Sequence, residues 1–523
     1  MRQIHRAVAA AVITTFIAAN ALAIWTPPGE HWEQYVNPAE AGWDAEGLTG
    51  ARAYADEIGS AAVMVVHRGV VVDSWGDLTR RYMCHSTRKS YLSALLGVYI
   101  EDGTIDYTMT LDELGIDDFE PSLSETEKSA RIVDLMAARS GVYRTAAYEP
   151  ARNPKPPRHS SAPNETWCYN NWDFNTLSTI FRQITGEDVF EAFNSEIAMP
   201  LGMEDYGPRD GYYHYQRNMS NHPAYPFRMS TRDMARFGQL FLNRGWWGET
   251  SILSESWIDE STDAISTETW TGGYGYMWWT YHGTEWEEYG LFTALGAGGH
   301  AIAVFPELDL VIVHRVNTFE GMNVPRPDFM SLFRKIIEAM PAFPVDNAAR
   351  ETLPSGDTCP DGIGVPLNDL LQFVGSYDTA GGNMRVTCDG NTLVLRQERS
   401  GNFSMIPLGE NSFTLEDSFR EIVFEQIDGE WMLFSEQLAI REGINLLRAG
   451  EIAEARAAVM IHLDRYPESA FLYNLLGDID MTAGDEEAGL ASYRKSLKLN
   501  PGNDRLAQAL QQIESEREER QAN

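Results

Sequence analysis

Two residues that could carry acyl-transfer chemistry stand three positions apart at the start of an apolar run. Ser86 and Lys89 lie in the stretch YMCHSTRKSYLSALLG, in a chain that contains only six lysines. A serine hydroxyl is a useful nucleophile only when a neighbouring base accepts its proton. Residues i and i+3 share one face of a helix, and burial lowers the pKa of an amine toward its neutral, basic form. The spacing therefore indicates a nucleophile and its base.

The motif alone is not specific, because the same spacing recurs at Ser492 and Lys495. That second copy lies in a stretch with the packing pattern of a helical repeat and has no other polar motif nearby. The first copy is followed by Tyr169-Asn170-Asn171, a Tyr-x-Asn ahead of a predicted helix, and by the glycine-rich TALGAGGHAIAVFPELDLVIV. Because context is what makes a motif specific, the first copy is the candidate site.

The order of these motifs resembles the serine hydrolases of the class C β-lactamase, penicillin-recognising family. The resemblance covers about residues 40–340 and includes KSYLSALLGVYIEDGTID, DLMAARSGV, MSTRDMARFGQLFLNRG and YGYMWW. It implies that Ser86 is acylated, that Lys89 activates it, and that Tyr169 acts as general base and then acid. It also implies that Asn171 holds the substrate amide or the lysine. Taken singly, Tyr169 could be a packed aromatic residue and Asn171 a helix cap.

The third element departs from the Lys-Thr-Gly of that family. The matching stretch is Ala294-Leu295-Gly296, which has no cation to bind a carboxylate. β-Lactams and peptidoglycan peptides carry a carboxylate that a Lys or Arg would normally receive. The resemblance therefore favours the esterase and aminohexanoate-oligomer hydrolase branches. We predict that Gly296 lies at the substrate and that the amides of Ser86 and of Ala297 or a neighbour form the oxyanion hole.

A histidine and two cysteines stand beside the candidate motifs. His300 follows the glycines where a polar substrate contact is usual in these branches, but it could equally be a histidine at a strand edge. Cys84 lies two residues before Ser86, and Cys168 directly precedes Tyr169. If the two motifs converge, these cysteines could form a disulfide, provided that their Cα separation allows it.

Hydrophobic periodicity predicts the elements that would position these motifs. We expect strands in 61–76 and 299–317, and helices in 86–102, 129–141, 173–186 and 230–245. Strands at both ends with helices between them predict a mixed α/β (α+β) domain of the β-lactamase/transpeptidase type, with an antiparallel sheet flanked by helices. Its predicted bounds are residues 27–345.

A composition break at RETLPSGDTCPDGIG separates this domain from a small all-β unit predicted at 355–437. Short alternating strands there are separated by Asp-Gly, Gly-Asn and Glu-Asn turns. The unit resembles the lipocalin-like barrel that is often appended to serine hydrolases of this family. Cys359 and Cys388 both fall in this part of the chain and could pair.

The C-terminal part repeats itself at an offset of 34 residues. Gly443 matches Gly477, and Pro467 matches Pro501. This period resembles the tetratricopeptide repeat, a helix-turn-helix unit. Two repeats and a final helix are predicted over residues 438–519. Such an array could bind a protein partner or pack on its own chain.

The N-terminus predicts export. Residues 1–23 combine a positive start, an apolar stretch and the small-residue site Ala21-Leu22-Ala23, which is typical of a secretory signal peptide. The alternative is an uncleaved membrane anchor, because the apolar run over 7–25 is nearly long enough to span a bilayer. Either interpretation places the protein in the periplasm or outside the cell.

Composition narrows the function classes. The formal charge of −35 at pH 7 repels nucleic acid. The sequence has no CxxC, HExxH or HxH spacing, so neither a metal nor another cofactor is predicted. We expect a secreted serine hydrolase that hydrolyses a small ester or amide through an acyl-enzyme on Ser86. The alternatives are a β-lactamase or D-alanyl-D-alanine carboxypeptidase, and a non-hydrolytic ligand-binding scaffold that recruits a partner through its repeats.

Overall fold

The computed structural model describes residues 27–149, 154–342, 345, 347–353, 365–379, 382–389, 392–397, 401–416, 421–427, 429–500 and 503–522. The predicted signal peptide and Cys359 lie outside these ranges. Within them, no helix combines the length and the apolar character needed to cross a bilayer. The described residues form a mixed α/β region, a seven-stranded β region and a C-terminal group of helices.

One sheet organises the α/β region. The strands of this region are β1 (Glu33–Tyr35), β2 (Ala62–His67), β3 (Val70–Gly76), β4 (Tyr82–Met83), β5 (Arg228–Met229), β6 (Trp246–Trp247), β7 (Thr250–Ser251), β8 (Gly273–Tyr274), β9 (Trp279–Thr280), β10 (Phe292–Gly296), β11 (His300–Phe305), β12 (Leu310–Arg315) and β13 (Arg350–Thr352). The sheet order is β13-β1-β3-β2-β12-β11-β10-β9-β8, parallel between β1 and β3 and otherwise antiparallel. β13 thus incorporates the start of the predicted linker into the sheet.

Helices cover both faces of this sheet. They are α1 (Ala45–Ile58), α2 (Arg88–Glu101), α3 (Glu125–Lys128), α4 (Ile132–Met136), α5 (Asn171–Thr185), α6 (Val189–Phe193), α7 (Thr231–Leu242), α8 (Glu255–Thr262) and α9 (Arg326–Glu338). Alternate residues of a strand point to opposite faces. Accordingly, Met64 of β2 packs in the core that contains α2, α5 and α7, and Val65 packs in the core that contains α1 and α9.

The helix after the candidate nucleophile begins two residues later than the sequence indicates. α2 begins at Arg88, and Ser86 lies in the 3₁₀ turn His85–Thr87 that leads into it. Every residue from Arg88 to Gly97 is buried, so the helix lacks the single apolar stripe of a surface helix. A helix buried all round is central to its domain.

Two other helices correct the sequence expectation. The helix predicted at 129–141 is limited to α4, because Ala138 and Gly141 adopt left-handed φ angles of 56° and 72°. α5 begins at Asn171, and the side chain of Asn170 caps it by accepting from the Trp172 amide. Asn170, rather than Asn171, is therefore the helix cap.

The β region follows helix α10 (Leu367–Leu371). Its strands are β14 (Gly375–Thr379), β15 (Gly382–Asp389), β16 (Thr392–Gln397), β17 (Gly401–Pro407), β18 (Ser412–Leu415), β19 (Glu421–Ile427) and β20 (Glu430–Phe434). They pair in chain order, and β14 approaches β20, so the sheet is a nearly closed barrel. The barrel packs on the α/β region, where the Phe319 ring lies 5.9 Å from the Phe403 ring and Glu416 pairs with Arg81 at 2.8 Å.

Five helices complete the described chain: α11 (Glu436–Ala449), α12 (Ile452–Arg465), α13 (Ala470–Thr482), α14 (Glu486–Leu499) and α15 (Asp504–Ala522). Glycines lie where these helices touch. A Cβ atom at Gly443 would be 2.6 Å from Val459, and one at Gly477 would be 2.4 Å from Tyr493. This close approach is a physical reason for the recurrence of glycine at the two positions.

Candidate active site

Ser86 lies in a strained turn between β4 and α2. Its neighbour His85 has a φ of 50°, a left-handed value that residues with a Cβ rarely adopt. Both ring nitrogens of His85 are held, Nδ1 by the Tyr148 hydroxyl and Nε2 by the Thr318 hydroxyl, each at 2.9 Å. Burial lowers the pKa of His85 to about 3, so the ring is neutral at pH 7. The turn leaves Ser86 half-buried at the start of α2, where backbone amides lack helical partners.

Lys89 is buried beside this hydroxyl. Its side chain belongs to a residue only 1 % exposed, and Nζ donates to Ser86 Oγ at 2.8 Å. The amine also lies 4.9 Å from the centre of the Phe174 ring. Burial, and then the charge of Arg88, hold the pKa of Lys89 well below its ordinary value of 10.5. A neutral amine at this distance can accept the serine proton.

Tyr169 closes the other side of the pair. Its ring centre lies 4.7 Å from Lys89 Nζ, and its hydroxyl shares a hydrogen bond with Ser86. Burial raises the pKa of Tyr169 to about 12, against the lowering effect of the Ser86 hydrogen bond. The phenol is therefore protonated at neutral pH. Residues predicted from motifs more than 80 positions apart in the sequence thus meet at one point.

Asn171 contacts the site indirectly. Its Nδ2 donates to the Tyr148 carbonyl oxygen at 2.8 Å. This bond connects α5 to the loop that contains Tyr148, whose hydroxyl contacts His85. Its Oδ1 is buried and has no hydrogen-bond partner among the described residues. The predicted contact of Asn171 with substrate or with Lys89 stays a prediction.

The end of β10 packs against the 3₁₀ turn His85–Thr87, which holds the candidate nucleophile and is called the nucleophile turn. A Cβ atom at Gly296 would lie only 2.5 Å from the Cys84 carbonyl oxygen, so glycine is what allows this approach. Ala297 is exposed in the three-residue turn that joins β10 to β11. The stretch Ala294-Leu295-Gly296 brings no cationic side chain to this position.

His300, by contrast, is completely buried. Its Nδ1 accepts from Arg315 Nε at 3.0 Å, and its ring centre lies 5.4 Å from that of His85. Burial and then the charge of Arg315 hold the pKa of His300 well below 6.5. The ring is a neutral support behind His85 in this structure, and its predicted role in substrate binding stays a prediction.

A row of packed aromatic rings leads from Tyr169 to the exposed Trp270. Trp279 stacks on Tyr169 at 5.3 Å, and Tyr274 meets Trp279 edge-on at 4.8 Å. Trp270 continues the row at 4.4 Å from Trp279 and is 52 % exposed. Trp279 and Tyr274 are buried, and the Arg326 guanidinium lies over the Trp270 ring at 4.1 Å, so most of this row packs against the protein itself.

Sequence reasoning did not single out His85, Arg88 and Tyr148. Arg88 is fully buried, and its guanidinium lies over the Tyr148 ring at 5.5 Å. The one sequence signal for Arg88 was a second cation directly before the candidate base. Nothing local indicates that Tyr148 contacts His85, because the two are 63 residues apart.

The cysteines beside the motifs do not pair. Cys84 and Cys168 are both free thiols, which contradicts the disulfide hypothesis. Cys84 is buried against α2, where the Tyr91 hydroxyl donates to its Sγ at 3.8 Å. Among the described residues, no group of three or more His, Cys, Asp and Glu side chains is arranged to hold a metal ion.

The chain matches the family described as Beta-lactamase over residues 21–333, which is more than half of its length. The chain therefore belongs to the β-lactamase family, whose members are serine hydrolases. No curated protein sequence matches it.

Solved structures with low identity are similar to part of the chain. A Bacillus anthracis protein assigned as a 6-aminohexanoate-dimer hydrolase is 22% identical, with a TM-score of 0.44 over 55% of this chain and 80% of that chain. An octameric penicillin-binding protein homologue from Pyrococcus abyssi is 15% identical, with a TM-score of 0.43 over 74% and 94%. A class C β-lactamase from Rhodobacter sphaeroides is 17% identical, with a TM-score of 0.42 over 56% and 99%. The family match, and not these likenesses, is the basis of the assignment.

Proposed function

We propose that this protein is a secreted serine hydrolase that forms an acyl-enzyme on Ser86 and hydrolyses a small ester or amide. The observation that carries the proposal is the 2.8 Å contact between the buried Lys89 Nζ and Ser86 Oγ. Burial depresses the pKa of that amine, which is the condition for a lysine to act as a base near neutral pH.

The proposed reaction has two halves. Lys89 takes the Ser86 proton while Oγ bonds to the substrate carbonyl carbon, and the carbonyl electron pair moves onto oxygen. The tetrahedral intermediate then collapses, the bond to the leaving group breaks, and the Tyr169 hydroxyl passes a proton to that group. Water attacks the acyl-enzyme by the same path in reverse and releases the acid and free Ser86.

The negative oxygen of the intermediate needs amide donors. The candidates are the amides of Ser86 and Ala297, because the end of β10 packs against the turn that holds Ser86. Donors of this kind lower the barrier because they are already oriented when charge develops.

The substrate class follows from the walls of the site. No cation stands on β10 at the position where carboxylate-recognising relatives carry lysine. The partly exposed Tyr169 ring, backed by Trp279, makes this side of the site apolar instead. We infer an uncarboxylated ester or amide with an apolar or aromatic group, in preference to β-lactams and D-alanyl peptides. Rapid nitrocefin hydrolysis with no turnover of p-nitrophenyl esters would reverse this preference.

Intact-protein mass spectrometry after fluorophosphonate treatment tests the proposal. The wild type should gain a single adduct and should hydrolyse p-nitrophenyl acetate or butyrate, whereas Ser86→Ala should do neither. Ser492→Ala is the matched control, because Ser492 precedes Lys495 with the same spacing in α14; it should behave as the wild type. A wild type without adduct or turnover would contradict the proposal.

A partner for the C-terminal helices is a second part of the proposal. The exposed apolar side chains there, Met460, Ile461 and Phe471, provide surface that a protein partner could cover, and the repeat period is typical of partner-binding arrays. Phe471→Glu in the full chain should weaken recovery of a cross-linked partner and leave ester turnover unchanged. Equal recovery with the variant would count against this surface.

A further inference from the structure

The peptide unit between His85 and Ser86 carries the amide assigned to the oxyanion hole. Its carbonyl oxygen accepts a hydrogen bond from Arg88 Nη1 at 2.9 Å. In a trans peptide the C=O and the following N–H point in opposite directions within one plane. A donor that holds the His85 carbonyl therefore also sets the direction of the Ser86 N–H.

This orientation is not what the local chain would adopt unaided. His85 has the left-handed φ of 50°, which costs energy for a residue with a Cβ. A strained backbone conformation of this kind persists only when surrounding contacts stabilise it. The contacts here are the Tyr148 and Thr318 hydroxyls on the His85 ring and Arg88 on the His85 carbonyl.

Arg88 makes few polar contacts besides its hydrogen bond to the His85 carbonyl oxygen. It is completely buried, and its Nε and Nη2 have no hydrogen-bond partner among the described residues. Its guanidinium lies over the rings of Tyr148 and Tyr225, at 5.5 and 4.9 Å from their centres. A buried cation without a carboxylate partner destabilises a fold, and such groups are kept where they act on a functional site.

We propose that Arg88 is a positioning residue for acyl transfer, whose hydrogen bond to the His85 carbonyl oxygen aims the Ser86 amide at the oxyanion of the tetrahedral intermediate. This inference rests on the proposed function, because it presupposes that Ser86 is the nucleophile. The bond also polarises the peptide unit, since a charged donor on the carbonyl makes the N–H a stronger donor.

The charge of Arg88 also supports the proposed reaction through the neighbouring Lys89. After burial itself, the positive charge of Arg88 lowers the pKa of Lys89. Arginine cannot give up its proton, so of these two adjacent cationic side chains Lys89 is the one that becomes neutral. The positive field that remains favours the negative charge of the intermediate.

Arg88→Met tests the inference, because it keeps an unbranched side chain and removes both the donor and the charge. The kcat for p-nitrophenyl butyrate should fall by about 10- to 1000-fold, with KM changed by less than about threefold. Binding of a trifluoromethyl ketone analogue of the ester should weaken by a similar factor. The hemiketal that Ser86 forms with this analogue carries the same oxyanion as the intermediate. The affinity of the protein for the ketone therefore reports the oxyanion hole and not general folding.

Arg236→Met is the matched control. Arg236 is also fully buried and donates to backbone carbonyls, but those belong to Leu201, Gly29 and Glu30. It should lower the melting temperature and leave kcat and ketone affinity of the folded protein unchanged.

The outcomes separate the two proposals. A wild type with no Ser86-dependent turnover overturns the proposed function and this inference with it. A wild type that turns over, together with a folded Arg88→Met of equal kcat and equal ketone affinity, overturns this inference alone. Should Arg88→Met not fold, Arg88→Lys keeps the charge but shortens the donor; it should lower kcat and ketone affinity several-fold, and unchanged values would also overturn the inference.

Discussion

Lys89 Nζ lies 2.8 Å from Ser86 Oγ, and the two residues belong to different elements, Ser86 to a 3₁₀ turn and Lys89 to the first turn of α2. Ser86 is partly exposed to solvent, whereas Lys89 is only 1 % exposed. Under the proposed function, this division would let a substrate reach the Ser86 hydroxyl while the Lys89 amine stays shielded from water.

Replacing Lys89 should separate activity from stability. Lys89→Met should lower kcat for p-nitrophenyl esters by about 100- to 10,000-fold, because the base is lost. It should also raise the melting temperature, because an apolar side chain replaces a buried amine. Lys495→Met, in the second Ser-x-x-Lys copy, should change neither kcat nor KM for these esters. Equal kinetics for the Lys89 and Lys495 variants would remove Lys89 from the mechanism.

The pH dependence of turnover should show an acid limb that reports Lys89. Activity needs its neutral form, so kcat/KM should fall as the pH drops through its lowered pKa, well below 10.5. The groups around the amine are Ser86, Arg88, Tyr169 and His85. His85 titrates near 3 and Tyr169 near 12, so neither accounts for a limb between them. A limb centred near 10.5 would show that the amine is not depressed.

The free energy of unfolding should also depend on the protonation of Lys89. Because the pKa of Lys89 is lower in the folded chain, the unfolded chain binds more protons between the two values. The free energy of unfolding should therefore rise with pH across that interval, and part of the rise should disappear in Lys89→Met. Chemical denaturation at several pH values measures both slopes, and identical slopes would contradict the expectation.

Tyr169→Phe should lower kcat by about 100-fold or more, because the proton-carrying hydroxyl is lost. Stability should change little, since the ring keeps its stack on Trp279 at 5.3 Å. Tyr281→Phe is the control: its hydroxyl contacts Thr293 at 3.2 Å in the core on the other face of the sheet, and turnover should be unaffected. Full activity of Tyr169→Phe would assign the leaving-group proton to another donor.

The contact between β10 and the nucleophile turn should be sensitive to a single methyl group. Gly296→Ala places a Cβ 2.5 Å from the Cys84 carbonyl oxygen, so the strand or the turn must shift. A displacement near 1 Å can cost about 100-fold in rate. Gly50→Ala in α1, where no atom lies within 4 Å of the new Cβ, should instead stabilise the fold by about 0.5–1 kcal/mol. Unchanged kcat/KM in Gly296→Ala would show that β10 does not shape the site.

Several features of the fold were predictable because they depend on local pattern. Alternating and β-branched residues indicated β2, β3, β11 and β12. The two motifs indicated three side chains that meet at the candidate site, Ser86, Lys89 and Tyr169, whereas Asn171 contacts it only indirectly. Boundaries were less predictable, since α4 stops at Met136, two residues before the left-handed Ala138, and α5 begins at Asn171, two residues ahead of the predicted start. The predicted domain bounds, the signal peptide, and the lipocalin-like and repeat assignments stay predictions.

The sequence by itself determined which side chains have the chemistry for acyl transfer, because hydroxyl, amine and phenol are properties of single residues and helical spacing is local. Only the tertiary structure decided how each is tuned. Lys89 is deprived of water by distant residues such as Phe174, and His85 is held by Tyr148 and Thr318, 63 and 233 positions away. Burial and backbone orientation arise from contacts between such distant segments, and they lower the pKa of Lys89 and hold the peptide unit that carries the Ser86 amide.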